Sequence, residues 1–398
     1  MNKTNSLKAS MFILLAMLSS CKPSENNQEV SAVTEDTAFV PHPQVVPKQD
    51  VKTLEIGAVA PDFSLPDTEG KFRSLQDFKD AKVLVLIFTC THCPTAQAYE
   101  QRIIKFTEDY KTKGVSVVAI MPNSTMGLLP EECGYTDLTD SYEDMITRAQ
   151  DKKFNFPYLY DGDNQKVAIA YGPVATPHAF VFNSERKLSY IGRLDATEKP
   201  GTTNADDLRA AVDALLAGNK VATPVNKAFG CSVKWQWKGE YAEDIEKEWV
   251  EKPVTLEKID VKEIKELVKN SSSKLRLINI WATWCAPCVA EYPQLVELQR
   301  WYGQRDFEFV SLSADSPEQF DKALAFLQKK HSPVKNYIYN GTDKYKLIEA
   351  IDPKWNGALP YTLLIEPNGK VAYSYQGVVD LFELKKAIVD HPMMGRFY

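Results

Sequence analysis

Two apolar runs, Val83-Leu84-Val85-Leu86-Ile87-Phe88 and Leu275-Arg276-Leu277-Ile278-Asn279-Ile280-Trp281, read as buried strands. Each is followed by helical spacing. Tyr99, Ile103, Ile104, Phe106 and Tyr110 share one helix face after the first run, and 289–302 has helical character after the second. The first half begins with a short hairpin over 60–75. Beyond its helix, the pattern predicts strands at 115–120, 156–160, 179–182 and 188–191, then a helix at 205–216. The second half repeats the plan with a strand at 307–312 and an amphipathic helix at 317–329. A hairpin of 361–365 and 371–375 follows, turning through Asn368-Gly369-Lys370, and a helix at 382–389 ends the pattern. Strands alternating with helices imply crossovers in a mixed α/β sheet, here built twice.

A length of 398 residues fits such a division. The expected units are 54–222 and 255–398, joined by a Trp-rich connector at 223–254 that is too aromatic for a free linker. Lys3 and Lys8 precede the apolar stretch Met11–Leu18 and then Ser19-Ser20-Cys21, a signal-peptide pattern over 1–21. Leu18-Ser19-Ser20-Cys21 resembles the lipobox of bacterial lipoproteins. That resemblance implies a lipidated Cys21, membrane attachment and a location in the bacterial cell envelope, facing the periplasm or the cell exterior. Residues 22–50, rich in Pro, Ser, Asn, Gln and Glu, read as a flexible tether. The formal charge of −6 and the lack of a basic stripe give nucleic acid no footing as a partner.

The chemistry lies in four of the seven cysteines. Cys90-Thr91-His92-Cys93 and Cys285-Ala286-Pro287-Cys288 follow the two buried runs directly. A dithiol at the mouth of a strand, opening a helix, is the layout of a redox site, because the helix N-terminus favours the attacking thiolate. Cys90 and Cys285 are thus expected as nucleophiles, with Cys93 and Cys288 resolving the mixed disulfide. Thr176-Pro177 and Leu359-Pro360 each precede a late strand, where a cis bond would expose backbone for an extended client. His92 can lend positive charge to the Cys90 thiolate and make the first pair the stronger oxidant. Ala286-Pro287 offers no such charge.

The run Trp281-Ala282-Thr283-Trp284-Cys285-Ala286-Pro287-Cys288, with Glu291, Pro293 and Trp355-Asn356-Gly357-Ala358-Leu359-Pro360-Tyr361-Thr362, resembles the TlpA/ResA-type thiol-disulfide oxidoreductases. Ala60-Pro61-Asp62-Phe63, Phe88-Thr89-Cys90-Thr91-His92-Cys93-Pro94 and Phe229-Gly230-Cys231-Ser232-Val233-Lys234-Trp235 resemble the redoxin (AhpC/TSA-like) branch. The resemblance implies two tandem thioredoxin-like folds, each a mixed sheet flanked by helices. It also implies disulfide exchange with disulfide-bearing or dithiol client proteins, a membrane or periplasmic electron donor, no cofactor and no resident metal. It further suggests Glu291 as a proton acceptor, the other reading being a solvated helix-face carboxylate.

Three rival chemistries fit less well. Peroxide reduction needs Pro-x-x-x-Thr/Ser-x-x-Cys; counting back gives Ile87 and Val83 from Cys90, or Cys90 and Leu86 from Cys93. Zinc pairs are spaced by about 12–20 residues, whereas these lie nearly 200 apart. A copper-binding role would recruit soft thiolates with His92 or His178. Cys133 and Cys231 remain open between a structural disulfide, an electron relay through Cys231 and two unpaired thiols.

Overall fold

The computed structural model describes residues 39–395. The apolar leader, Cys21 and residues 22–38 of the expected tether lie outside the described residues. In the first half the elements run β1 (Ser64–Pro66), β2 (Phe72–Ser74), β3 (Val83–Phe88), α1 (Pro94–Tyr110), β4 (Val115–Met121) and α2 (Tyr142–Lys152). They continue with β5 (Tyr158–Tyr160), α3 (Lys166–Tyr171), β6 (His178–Phe182), β7 (Leu188–Gly192) and α4 (Asp206–Leu216). A connecting helix, α5 (Gly239–Val250), leads to β8 (Glu257–Ile259), α6 (Val261–Lys269), β9 (Leu275–Trp281), α7 (Ala286–Tyr302) and β10 (Phe307–Ser313). The last elements are α8 (Phe320–Lys329), β11 (Lys335–Tyr339), α9 (Lys344–Ile351), β12 (Tyr361–Ile365), β13 (Val371–Gln376) and α10 (Leu381–Val389).

The two sheets share a five-strand order, to which the second adds β8 at one edge. The first has the order β5-β4-β3-β6-β7 and the second β13-β12-β9-β10-β11-β8, so β3 and β9 hold equivalent central places. Each central strand runs parallel to its following strand and antiparallel to the strand after the X-Pro pair. Every residue of β3 and β9 is buried, because helices cover both faces. Alternation assigns the residues to opposite cores. Val83, Val85 and Ile87 pack with α1 and α4, while Leu84, Leu86 and Phe88 pack with Tyr171 and Phe180. In the second sheet Leu275 and Leu277 face α7 and α10, and Ile278 and Ile280 face α6 and α9. The mixed α/β double architecture agrees with the sequence pattern.

Three boundaries need correction. Residues 39–50 of the expected tether are fixed to the first domain. Phe39 packs edge-on to Phe72 and Tyr142, and the Val46 N–H donates to the Gln236 side chain at 2.7 Å. Apolar Phe39 and Val46 gain burial that polar neighbours could not. The connector packs on both domains, as its aromatic content implies, and this moves the end of the first domain beyond residue 222. Val225 bridges Ile191 and the Lys234 N–H reaches Asn123 at 2.8 Å, so this stretch completes the first domain. The helix α5 spans the two, its start at Gly239 against Met126 of the first domain and its later turns on the second, through Glu246 with Arg300 (2.7 Å) and the Trp249 indole with the His331 carbonyl (3.0 Å). Finally, the helix expected over 317–329 is α-helical only from Phe320, after a 3₁₀ turn at Pro317–Gln319.

The domains also touch directly. The loop between β4 and α2 carries Cys133 into the apolar core of the second domain, beside Trp301. The Tyr302 hydroxyl donates to the Thr136 carbonyl at 2.7 Å, and Arg305 donates to the Gly134 carbonyl at 2.8 Å. The guanidinium of Arg305 covers the Tyr135 ring at 3.9 Å. Among the described residues no helix is long and apolar enough to cross a membrane. Tyr302→Phe strips a buried carbonyl of its donor and is expected to lower unfolding free energy by about 1–2 kcal/mol in urea titrations; an unchanged midpoint would show that this contact contributes nothing.

Candidate active site

Both dithiols sit at the end of a central strand, but their registers differ. In the second domain β9 ends at Trp281 and α7 begins at Ala286, so Cys285 is the N-cap; its Sγ accepts the Cys288 N–H at 3.4 Å. Cys285 and Cys288 form a disulfide with a Cα–Cα distance of 5.3 Å. In the first domain α1 begins only at Pro94, and the N-cap is Cys93, whose Sγ accepts the Ala96 N–H at 3.5 Å. Cys90 lies before the helix, and both thiols are free and buried. The structure thus places Cys93, and not Cys90 as expected, at the helix N-terminus, so helix stabilisation of a thiolate acts on Cys93. The signal was present in the sequence: proline has no N–H to lose at a first helical position, so Pro94 marks where α1 starts.

Electrostatics follow that register. Burial works against any thiolate here. At Cys93 it is outweighed by hydrogen bonds from Cys231 and Cys90, the charge of His92 and the Ala96 amide, which hold the thiol well below its ordinary value. At Cys90, burial, its hydrogen bond to Cys93 and the nearby Asp140 charge push the thiol well up. His92 thus serves the second sulfur of its motif instead of the first. In its protonated form Cys93 donates to the Thr176 carbonyl at 3.3 Å, and Cys90 lies 3.1 Å from the Thr176 hydroxyl. The Thr176-Pro177 and Leu359-Pro360 bonds are both cis, as expected from the sequence order.

Asp140, which sequence reasoning missed, organises the first site. Its carboxylate accepts the Thr91 and His92 N–H groups at 3.0 Å each, the Thr91 hydroxyl at 2.9 Å, His92 Nδ1 at 2.5 Å and the Asn123 amide at 2.7 Å. Burial alone would raise this acid; the His92 charge and these bonds hold it down to about 2. Burial disfavours the His92 cation, yet Asp140 raises it above its ordinary value. A lone aspartate 48 residues from His92 leaves no local pattern to find. Cys90, His92 and Asp140 do bring metal-ligand atom types within 4.8 Å of one another. With five hydrogen bonds already made, the carboxylate has no lone pair left to offer a cation. His178, the other histidine considered for copper, is driven down to about 4 by burial and stays neutral.

Glu291 is buried, so the solvated-carboxylate reading is overturned. It accepts the Asn279 amide at 3.2 Å and the Val379 N–H at 3.1 Å, and burial raises its carboxyl despite both bonds. A cavity of about 160 Å³ is bounded by Trp284 and Leu359, the residues before Cys285 and the cis proline, together with Asp315, Tyr339, Trp355 and Gly357. Cys133 and Cys231 are both free and belong to separate apolar clusters, Cys133 in the second domain and Cys231 beside Cys93.

Both halves of the chain resemble known protein families. The AhpC/TSA family profile matches residues 56–191, and the Redoxin profile matches residues 253–388. The chain is 30% identical over 145 residues to the thiol-disulfide oxidoreductase ResA of Oceanobacillus iheyensis, a match spanning 33% of this chain and 67% of that protein. It is 33% identical over 104 residues to the thiol:disulfide interchange protein DsbE of Vibrio cholerae, spanning 26% of this chain and 50% of that protein. A crystal structure of a hypothetical protein from Sinorhizobium meliloti 1021 matches at 36% identity and a TM-score of 0.41, over 47% of this chain and 98% of that one.

Asp140 adds stability above about pH 4 that is lost as pH falls through its value of about 2. His92, raised, adds stability below about 6.5 that is lost as pH climbs through its folded value. The pair should therefore contribute most between about pH 4 and 6.5. Asp140→Asn is expected to cost about 2–4 kcal/mol there. It should also move the Cys93 thiolate absorbance to higher pH. A variant with the wild-type stability profile and thiolate titration would contradict this role for Asp140.

Proposed function

The chain belongs to the thioredoxin superfamily, with an AhpC/TSA-type domain ahead of a redoxin-type domain, and from that premise we propose a membrane-tethered thiol-disulfide oxidoreductase of the bacterial envelope. The observation that carries the reading is the second site. There a cysteine N-caps α7, its resolving partner lies within the first turn, and an open cavity borders the residue before a cis proline. The tether and the location rest on the N-terminal sequence, in which Cys21 would carry the lipid.

Reduction of a client runs in two steps. The Cys285 thiolate attacks one sulfur of the client disulfide, and the client's other sulfur leaves as a thiolate and takes up a proton. The Cys288 thiolate then attacks Cys285 Sγ, restoring the Cys285–Cys288 disulfide and releasing the second client thiol. Two electrons pass from the enzyme dithiol to the client, and oxidation of a client dithiol is the reverse. The helix N-terminus stabilises the attacking thiolate. Glu291, one helical turn beyond Cys288 and held by Asn279 and Val379, is placed to take the Cys288 proton. Extended clients would lie in the cavity against the backbone at Leu359. Peroxide chemistry gains no support from the corrected register, since Leu86 and Cys90 stand where its motif needs proline and threonine.

Cys288→Ser is expected to accumulate a client mixed disulfide on Cys285, visible as an intact-mass adduct, while Cys285→Ser leaves this site with none. If insulin disulfide turnover were the same in Cys285→Ser, Cys93→Ser and the wild type, the reading would fail.

A further inference from the structure

At the second dithiol the backbone before the cis proline borders open space, but at the first it is covered by the chain itself. The Thr176 N–H donates to the Cys231 carbonyl at 2.9 Å, and the two residues form an antiparallel bridge. The Thr176 hydroxyl also reaches that carbonyl, at 3.4 Å. Gly230 makes this approach feasible. Its φ is +139°, and a Cβ there would lie 2.1 Å from the Thr176 carbonyl oxygen. The segment is held further along by Lys234, whose N–H donates to Asn123 at 2.8 Å and whose amine pairs with Glu132 at 2.5 Å. Residues 230–231 thus occupy the edge on which an extended client would add a strand.

What this segment presents to the site is a thiol. The Cys231 N–H donates to Cys93 Sγ at 3.4 Å, which sets the Cys231 side chain beside that sulfur. Cys93 therefore has two cysteine neighbours, Cys90 three residues before it and Cys231 through its backbone N–H, and Cys90 and Cys93 share Thr176, whose hydroxyl lies 3.1 Å from Cys90 Sγ and whose carbonyl lies 3.3 Å from Cys93 Sγ. Accessibility separates them: Cys90 and Cys93 are 3% and 0% exposed, whereas Cys231 is partly exposed. A bulky client cannot reach the first pair directly without displacing the 230–231 segment.

We propose that Cys231 is a third redox thiol of the first site: Cys93 exchanges its disulfide between Cys90 and Cys231, and Cys231 is the sulfur that client thiols meet. The inference rests on the disulfide-exchange reading and deepens it. Starting from a Cys90–Cys93 disulfide, the Cys231 thiolate attacks Cys93 Sγ. The Cys93–Cys231 bond forms, the Cys90–Cys93 bond breaks, and Cys90 leaves as a thiolate that takes up the proton Cys231 lost; no net oxidation occurs. A client thiolate then attacks Cys231 Sγ and expels the Cys93 thiolate. The client's second thiolate attacks its own mixed-disulfide sulfur and frees Cys231, which is protonated. The client has lost two electrons to the Cys93/Cys231 pair, and run backwards the steps reduce a client disulfide.

The test is acid quenching, alkylation and non-reducing peptide mapping of the full chain in glutathione buffers. Wild type poised at half-oxidation is expected to contain both Cys90–Cys93 and Cys93–Cys231. Cys90→Ser should oxidise to Cys93–Cys231 as the main product. In Cys231→Ser the Cys90–Cys93 disulfide should be reduced by glutathione about tenfold more slowly. Cys285–Cys288, as an internal control, should keep its wild-type rate. The proposal is overturned if Cys90→Ser leaves Cys93 and Cys231 separately alkylated, or if Cys231→Ser is reduced at the wild-type rate. If the wild type turned over no client while Cys93–Cys231 still formed, the exchange reading would fall and this pairing would stand.

Discussion

A sulfur anion can persist inside a protein only where donors converge on it, and the first domain is arranged around that requirement at Cys93. Its Sγ accepts the Ala96 amide from the first turn of α1 and the Cys231 amide. His92, which adds positive charge to the shell when protonated, is itself buried, and Asp140 at 2.5 Å raises its affinity for that proton. Asp140 in turn depends on Asn123, and Asn123 also holds the segment that carries Cys231. Thiolate, ion pair and returning segment form one connected hydrogen-bond network, in which a missing member would leave another buried polar group unpaired.

The second domain solves the same problem with fewer parts. Cys285 caps α7 directly, no histidine flanks it, and two buried acids stand near: Glu291, held by Asn279 from the central strand, and Asp315, which accepts the Thr283 N–H and hydroxyl. The two sheets have equivalent strand orders, so the difference lies in the links after β3 and β9 and in what covers the cis-proline edge. One site is open beside a cavity, and the other is closed by its own chain. The loop that carries Asp140 also feeds Cys133 and Thr136 into contact with α7, so the polar network of the first site and the packing of the second domain share one segment.

Much of this was legible in the sequence because it depends on local pattern. The buried runs fixed the central strands, strand–helix alternation fixed the sheet class, and the position of Pro177 and Pro360 ahead of late strands identified the turns facing the dithiols. The register of the first site was legible too, through Pro94, but the motif Cys-x-x-Cys drew the helix start to the wrong cysteine. What local pattern could not carry was long-range closure. Asp140 is far from His92 in sequence, and Cys231 meets Cys93 across a separation of 138 residues. The packing of Phe39 and Val46 was hidden for another reason: their segment is polar on average, and two apolar side chains decide where it lies.

Stabilising a thiolate stabilises the reduced form of its pair, which makes the corresponding disulfide the stronger oxidant. Asp315 beside Thr283 matches Asp140 beside Thr91, but no histidine follows Cys285 to match the His92–Asp140 pair, so the central claim is that one chain holds two dithiols at separate potentials, the first more oxidising. The direct measurement is the reduction potential of each site in the full chain, by equilibration with thiol–disulfide buffers and peptide-resolved counting of each disulfide. The account expects the first site to lie above the Cys285–Cys288 pair by about 30 mV or more, a tenfold difference in equilibrium constant. Equal potentials, or a first site more reducing than the second, would contradict it.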